Sequence, residues 1–195
     1  GEFGYGLQTQ SGKLEFESSS LRRFDPDDTE RPPVMRYVPA WEGPHAKELY
    51  AKYPLQLITP HPRHSFHTQS DGKDAVTNDI HDHRVLVDGR YYWPVRVNPR
   101  DGAARGLRDR QLVRVFNDRG AVICAVRLTE RVPAGTVHSY ESSARYEPVG
   151  EPGRSADRGG CMNVLTPSRM MIRKSHALAA NSCLVQIEAW EGDGA

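Results

Sequence analysis

Leu112-Val113-Arg114-Val115-Phe116-Asn117-Asp118-Arg119-Gly120-Ala121-Val122-Ile123-Cys124-Ala125-Val126-Arg127-Leu128 is the stretch on which the fold turns. Its first five residues alternate apolar and other side chains, the period of a half-buried strand. Asn-Asp-Arg-Gly is turn chemistry, and an apolar, β-branched run returns from it. The same texture extends in both directions. Leu55 to Ile58 is a short apolar strand ended by Thr59-Pro60. Arg84 to Val87 and Arg90 to Val97 flank Asp88-Gly89, a strong hairpin signal. Pro133-Ala134-Gly135 turns into Thr136 to Tyr140, and Cys183 to Trp190 closes the series. Six or seven short strands with turns between them predict a mainly β chain closed as a small barrel. Too little helix remains to cover both faces of a parallel sheet.

Short helices are expected at Ala46 to Tyr53, stopped before Pro54, and for about one turn near Ala103 to Gly106, opening near Pro99. Gly6 to Phe16 reads as a turn leading into a short strand. Arg22 to Pro44 carries five prolines and reads as an extended linker. The expected organisation is an N-terminal, Pro-rich extension over 1–53 and a barrel domain over 54–191. Glu147 to Gly160, with two prolines and three further glycines before Gly160, reads as a mobile loop, and Ser168 to Ala180 as irregular or weakly helical.

The 195 residues are enough for one domain, or one domain with an extension, without covalent staples. With 26 basic and 25 acidic residues the net charge is +1, which offers no global attraction to nucleic acid. No apolar run approaches the roughly 20 residues that span a bilayer, so membrane insertion is not expected. No signal peptide opens the chain, and the first residue is not Met, which reads as a piece of a longer protein or a processed chain. Three widely spaced cysteines, with no Cys-x-x-Cys, predict neither a disulfide framework nor a zinc or iron–sulfur site, and fit a cytoplasmic compartment.

Three loops carry chemistry. The first is Ile58-Thr59-Pro60-His61-Pro62-Arg63-His64-Ser65-Phe66-His67-Thr68-Gln69, held extended by its prolines and dense in hydrogen-bond donors. Such a loop suits an anion such as pyrophosphate; an exposed, hydrated loop is the plain alternative. Its histidines, with His81, His83, Asp79 and Asp82 following, also admit a metal ion. Two prolines preclude the helix that would align them, and no carboxylate has motif spacing. The second is Asn98-Pro99-Arg100-Asp101. Here the carboxylate is either a cap or an acceptor for the N1–H and N2–H of guanine. The third is Gly159-Gly160-Cys161-Met162-Asn163-Val164-Leu165-Thr166, whose glycines allow close backbone approach to a flat ligand. No phosphate-binding P-loop, GxGxxG or GxSxG occurs.

Taken in order, these segments resemble the C-terminal dinucleotide-binding domain of the dimethyl sulfoxide reductase family of molybdenum and tungsten enzymes. Thr9 to Phe16, Asn98-Pro99 with Asp101 and Arg105-Gly106, Val113 to Gly120, Pro133-x-Gly135-Thr136-Val137, Asn163 to Thr166 and Ser182 to Glu188 carry the resemblance, from about residue 5 to 190. Tyr5-Gly6-Leu7, Phe66-His67, Asp79-Ile80-x-Asp82-His83-Arg84 and His138 to Ser142 are most similar to its pyrogallol–phloroglucinol transhydroxylase branch, large subunit. The resemblance implies a double-psi β-barrel that binds bis(molybdopterin guanine dinucleotide), with the molybdenum or tungsten ligand supplied outside this chain. It implies that Thr59, His61, Ser65, His67 and Thr68 line the pterin and phosphates. Asn98 and Asp101 would face the guanine, and Asn163 and Asn181 the pterin or a phosphate. It implies no catalytic residue here; His138 and Tyr140 are the candidates to approach a substrate funnel. The implied partners are the remaining domains of a catalytic subunit and an iron–sulfur subunit. A barrel that binds a protein partner, with the cofactor loops degenerate and the Pro-rich stretch as a docking arm, is the competing reading. Two positions depart from the family pattern: Arg110-Gln111 where Gly-Asp is common, and Gly102 where Ala is usual.

Overall fold

The structure is a computed structural model and describes residues 6–67, 75–141, 145–171, 177–179 and 181–192. The chain divides into two compact units, residues 1–39 with 170–177, and residues 40–169 with 178–195.

The first unit holds helix α1 (Ser19–Phe24), started by the Ser18 hydroxyl, which accepts from Leu21 N–H at 3.3 Å. The strand expected after Gly6 reduces to a single bridge between Glu17 and Val34. Arg31 reaches Asp28 at 2.7 Å and holds its carboxyl down at about 2. Leu14, Phe16, Phe24, Met35 and Tyr37 are all exposed, Met35 at 96 %.

The second unit is built on eight strands. They are β1 (Leu55–Ile58), β2 (Val85–Val87), β3 (Arg90–Tyr92), β4 (Pro94–Val97), β5 (Leu112–Asn117), β6 (Gly120–Leu128), β7 (Thr136–His138) and β8 (Leu184–Ala189). Six of them close a barrel in the order β1-β7-β4-β6-β5-β8. The β1–β7 and β4–β6 pairs are parallel; the other four pairs are antiparallel. Alternation decides what faces inward. Leu55, Leu57, Val95, Val97, Val113, Val115, Val122, Cys124, Val126, Val137, Val185 and Ile187 form one buried cluster, every second residue of each strand. Each valine buried this way contributes roughly 1.5–3 kcal/mol. The long apolar run of β6 is explained by its outer face. Ala121, Ile123 and Ala125 are buried there against Val85, Tyr92 and Ala156.

The run Arg90–Val97, expected as one strand, is two. β2 and β3 form their own hairpin through Asp88 and Gly89, both with positive φ (47° and 76°). The chain then breaks at Trp93 and β4 joins the barrel. Trp93 is a hinge between sheets because its ring is buried in the barrel core while its carbonyl accepts from Ala125 N–H at 3.0 Å. Helix α2 (Lys47–Lys52) ends at Tyr53 as expected. Helix α3 (Pro99–Ala103) opens on Pro99 and is capped by Asn98.

Both departures from the family pattern have a local consequence. Arg110 adopts φ 66°, the left-handed conformation that glycine tolerates and a side chain resists. Gly102 lies against β6, where an added Cβ would stand 2.6 Å from Leu128 Cδ2; the leucine methyl fills the space an alanine would take.

The loop expected to be mobile, 147–160, is pinned. Asp157 is 0 % exposed and its carboxylate accepts three backbone N–H groups, from Glu147 (2.7 Å), Gly159 (2.9 Å) and Cys161 (2.7 Å). Its backbone continues the β6 ladder through Ile123 and Ala121. Arg90 grips Glu147 with two bonds, at 2.9 and 2.6 Å.

Candidate functional site

The strand directions sort the loops between the two ends of the barrel. One end collects the C-termini of β1, β5 and β7 and the N-termini of β4, β6 and β8. The loop after β1 lies here beside the chain leaving β7, joined by Ser139 N–H to Ile58 O (3.2 Å) and Glu141 N–H to Pro60 O (3.2 Å).

Most of the residues singled out from the sequence gather at this end. Thr59 is buried, and its N–H and hydroxyl both meet Asn181 Oδ1, at 3.2 and 3.5 Å. His61 Nδ1 lies 2.6 Å from Glu141 Oε1, and its ring meets His67 edge-to-face at 4.8 Å. The Ser65 hydroxyl oxygen is buried without a hydrogen-bond partner among the described residues. Asn163 is exposed on the turn Met162–Val164, which packs against β6. Thr68 lies outside the described residues.

This end is made rigid by contacts that the sequence did not announce. Leu165 O accepts from Asn117 Nδ2 (2.9 Å), Arg119 Nε (2.6 Å) and Cys183 Sγ (3.1 Å). Arg119 also forms two bonds with Glu42, at 2.7 and 3.0 Å, and Glu42 accepts from Leu184 N–H at 2.8 Å. The Asn-Asp-Arg-Gly turn thus ties the third loop to β8 and to the segment before α2. Its glycine is required by close approach, since a Cβ on Gly120 would stand 2.6 Å from Val164 Cγ1. Gly160, at φ 84°, leaves room for Trp93, whose Cδ1 would be 2.4 Å from a Cβ.

Beneath the first loop runs a chain of edge-to-face rings: His64–His83 (5.8 Å), His83–Trp93 (5.2 Å), Trp93–Tyr140 (5.7 Å) and Tyr140–His138 (5.2 Å). His83 is 1 % exposed, and among the described residues neither its ring nitrogens nor Trp93 Nε1 has a hydrogen-bond partner. Burial, with help from His64 and Arg96, pushes the His83 pKa down, so the ring is held neutral. Burial and then Arg96 do the same to His138, whose Nδ1 lies 3.2 Å from Arg96 Nη1. Arg84 lies 3.7 Å over the Trp93 ring, and burial lowers its pKa to about 10. His138 and Tyr140 are engaged with Arg96, which also contacts Asp82.

Asn98 and Asp101 sit at the opposite end, beyond β4. Asn98 Oδ1 accepts from Arg100 N–H (3.0 Å) and its Nδ2 donates to Val132 O (2.8 Å). Asp101 Oδ2 accepts from Gly135 N–H at 2.7 Å. The helix cap is therefore Asn98, and Asp101 fixes the turn before β7. The structure does not bring these two beside Thr59, His61 and Asn181. The four residues of β4, at about 3.3 Å each, separate the ends by roughly 13 Å. Among the residues that matter most here, no sequence feature marks Glu42 or Asp157 as a site element. Each is polar and buried, and no local pattern marks the partner that makes burial tolerable.

Among the described residues no helix is long and apolar enough to cross a membrane. A family model described as the molydopterin dinucleotide binding domain matches residues 55–184. The pyrogallol hydroxytransferase large subunit of Pelobacter acidigallici is 51 % identical over 191 residues, 96 % of this chain and 22 % of that protein. The trimethylamine-N-oxide reductase of Haemophilus influenzae is 33 % identical over 190 residues, 95 % of this chain and 21 % of that protein. The chain thus spans about a fifth of the length of these curated relatives. Acetylene hydratase from Pelobacter acetylenicus shares the fold at a TM-score of 0.56 and 16 % identity, over 97 % of this chain and 25 % of that one. With the family match running from β1 to the start of β8, the chain belongs to the molybdopterin dinucleotide-binding domain family and is related to the dimethyl sulfoxide reductase family.

Proposed function

We propose that this chain binds and positions bis(molybdopterin guanine dinucleotide) as the C-terminal part of a larger molybdenum or tungsten oxidoreductase or transhydroxylase. The observation that carries the proposal is the gathering of Thr59, His61, Ser65, His67 and Asn181 at one barrel end in a family defined by this ligand. The residues fit such a group: the buried Ser65 hydroxyl lacks a partner among the described residues, and the loop offers imidazole and hydroxyl donors to an anion. Asn163 sits at the same end, and Thr68 continues the first loop. When bound, the group supplies the metal-centred redox or transfer chemistry. The chain's residues hold and orient it, and the metal's protein ligand comes from outside the chain.

The guanine is assigned to Asn98 and Asp101. A carboxylate has about four acceptor sites, so the bond to Gly135 leaves Asp101 able to accept from guanine N1–H and N2–H. Only an extended ligand reaches both barrel ends, which suits a dinucleotide. The mixed parallel and antiparallel strand order supports a double-psi barrel over 54–191, preceded by the Pro-rich extension over 1–53. The identity to the pyrogallol hydroxytransferase large subunit favours the transhydroxylase branch. The partners are then the remaining domains of the catalytic subunit and an iron–sulfur subunit, in the cytoplasm. One observation favours the competing reading of a barrel that docks a protein: the exposed apolar side chains Phe16, Phe24, Met35 and Tyr37.

A titration of the chain with GDP, followed by amide chemical shifts, tests the proposal. Saturable shifts near 98–101 and 135 are expected. Asp101→Asn should then weaken binding roughly ten-fold to a hundred-fold, about 1.5–3 kcal/mol for one charged hydrogen bond. Equal GDP affinity in Asp101→Asn would refute the guanine assignment, and shifts confined elsewhere would relocate the site.

A further inference from the structure

We infer that a cleft on the outer wall of the barrel binds a small aromatic monoanion of the arylcarboxylate class. The cleft has a volume of about 570 Å³ and lies between the β5–β6 hairpin and the loop 146–156. That is the size of an ordinary small-molecule site. None of the residues assigned to the dinucleotide lines it. Ala121, Val149, Ala156 and Trp190 supply its apolar part, and all four belong to or pack against the cluster on the outer face of β6. Trp190 and Tyr146 offer ring faces on which a planar ligand can stack.

Charge selects the anion. Among the described lining residues, Arg114, Arg119 and Arg154 are the cations and Asp118 is the one anion. Two of the arginines are already matched. Arg114 Nη1 lies 2.8 Å from Glu188 Oε1, and Arg119 forms its two bonds with Glu42. Asp118 is matched as well, by Lys52 and by the Tyr53 hydroxyl at 2.7 Å. Arg154 reaches only Glu151, at 3.6 Å, with side chains 80 % and 67 % exposed. A pair this open is worth little, so the guanidinium can turn to a ligand. One uncommitted guanidinium matches one carboxylate, which its planar fork holds with two parallel bonds.

Both walls are fixed before a ligand arrives, which keeps the ordering cost of binding low. Arg119 anchors the hairpin to Glu42 and Leu165 O, and Asp157 pins the loop. Tyr146 Oη accepts from Gly153 N–H at 2.8 Å, which ties its ring to the same loop.

The inference does not rest on the cofactor reading. Titration of the chain with 2-naphthoate, followed by amide and indole N–H chemical shifts, tests it. Saturable shifts are expected at Trp190, Gly150 and Gly153. Neutral 2-naphthol, which lacks the carboxylate, should bind about ten-fold more weakly or worse. Arg154→Gln should weaken naphthoate by a similar factor and leave naphthol unchanged. Trp190→Leu should abolish the preference for naphthoate over cyclohexanecarboxylate, which has no flat ring. Arg131→Gln, at an exposed arginine in the turn before β7, should change nothing. Arg154 is a surface residue, and circular dichroism checks that its variant folds. Absence of saturable shifts at millimolar naphthoate, equal affinity for 2-naphthol, or native affinity in Arg154→Gln overturns the inference. GDP shifts near Asp101 read the cofactor proposal separately, so either can fail without the other.

Discussion

Asp157→Asn isolates the group that organises the third loop. In the native chain its carboxylate accepts three backbone N–H groups, at 2.7, 2.9 and 2.7 Å, with no water contact. The amide keeps one oxygen. If that oxygen serves Glu147 and Gly159, the new NH₂ group faces Cys161 N–H, donor against donor. One charge-assisted bond worth about 1.5–3 kcal/mol is lost, and a buried donor is left unsatisfied at about 1–3 kcal/mol. Removing the charge returns part of its desolvation penalty. The net expectation is a loss of about 2–4 kcal/mol, a large share of the roughly 5–15 kcal/mol that separates a folded domain from its unfolded chain. Urea unfolding at neutral pH measures the total. The local effect is read at Cys161, which is half-buried, by its alkylation rate and by hydrogen exchange of its amide. Burial pushes the Cys124 and Cys183 thiols up to about 12 and about 11, so they stay silent to the same reagent. A variant within about 0.5 kcal/mol of the native protein, with unchanged Cys161 reactivity, would refute the view that Asp157 pins this loop.

Arg110→Gly relieves the left-handed strain and should stabilise the chain by up to about 1 kcal/mol, whereas Arg110→Val should destabilise it, as denaturant midpoints will show. Glu42→Gln breaks the buried pair with Arg119 and should cost about 3 kcal/mol, the low end for such a pair because Arg119 is partly solvated. Thermal unfolding of this variant, with Arg22→Gln as an exposed-pair control expected to change little, separates the two cases. His83 has a lowered pKa, so the unfolded chain takes up a proton near pH 6.5 before the folded chain does. Its contribution is therefore intact above about 6.5 and is lost as pH falls toward the folded value. His83→Phe should flatten stability against pH in that window, leaving the slope due to His138; an unchanged profile would contradict it.

Strand existence and facing were legible in the sequence because side-chain alternation is a local property. Val113, Val115, Val122, Cys124 and Val126 point inward wherever their neighbours lie. The Asp88-Gly89 hairpin, the stop at Pro54 and the strain at Arg110 are likewise local, set by which φ a residue tolerates. The loop holding Thr59 and His61 was recognisable from residue type, whereas Asn181 came only with the family resemblance. Only the tertiary structure decided that Arg90–Val97 divides at Trp93, because one half pairs with β2 and the other with β6 and β7. It alone placed Asn98 and Asp101 at the far barrel end, gave Asp157 its three N–H donors and set Glu42 against Arg119. It also brought Glu141 to His61. A buried carboxylate's role depends on the donors that long-range strand pairing delivers to it, and those donors lie too far along the chain for any local pattern to record.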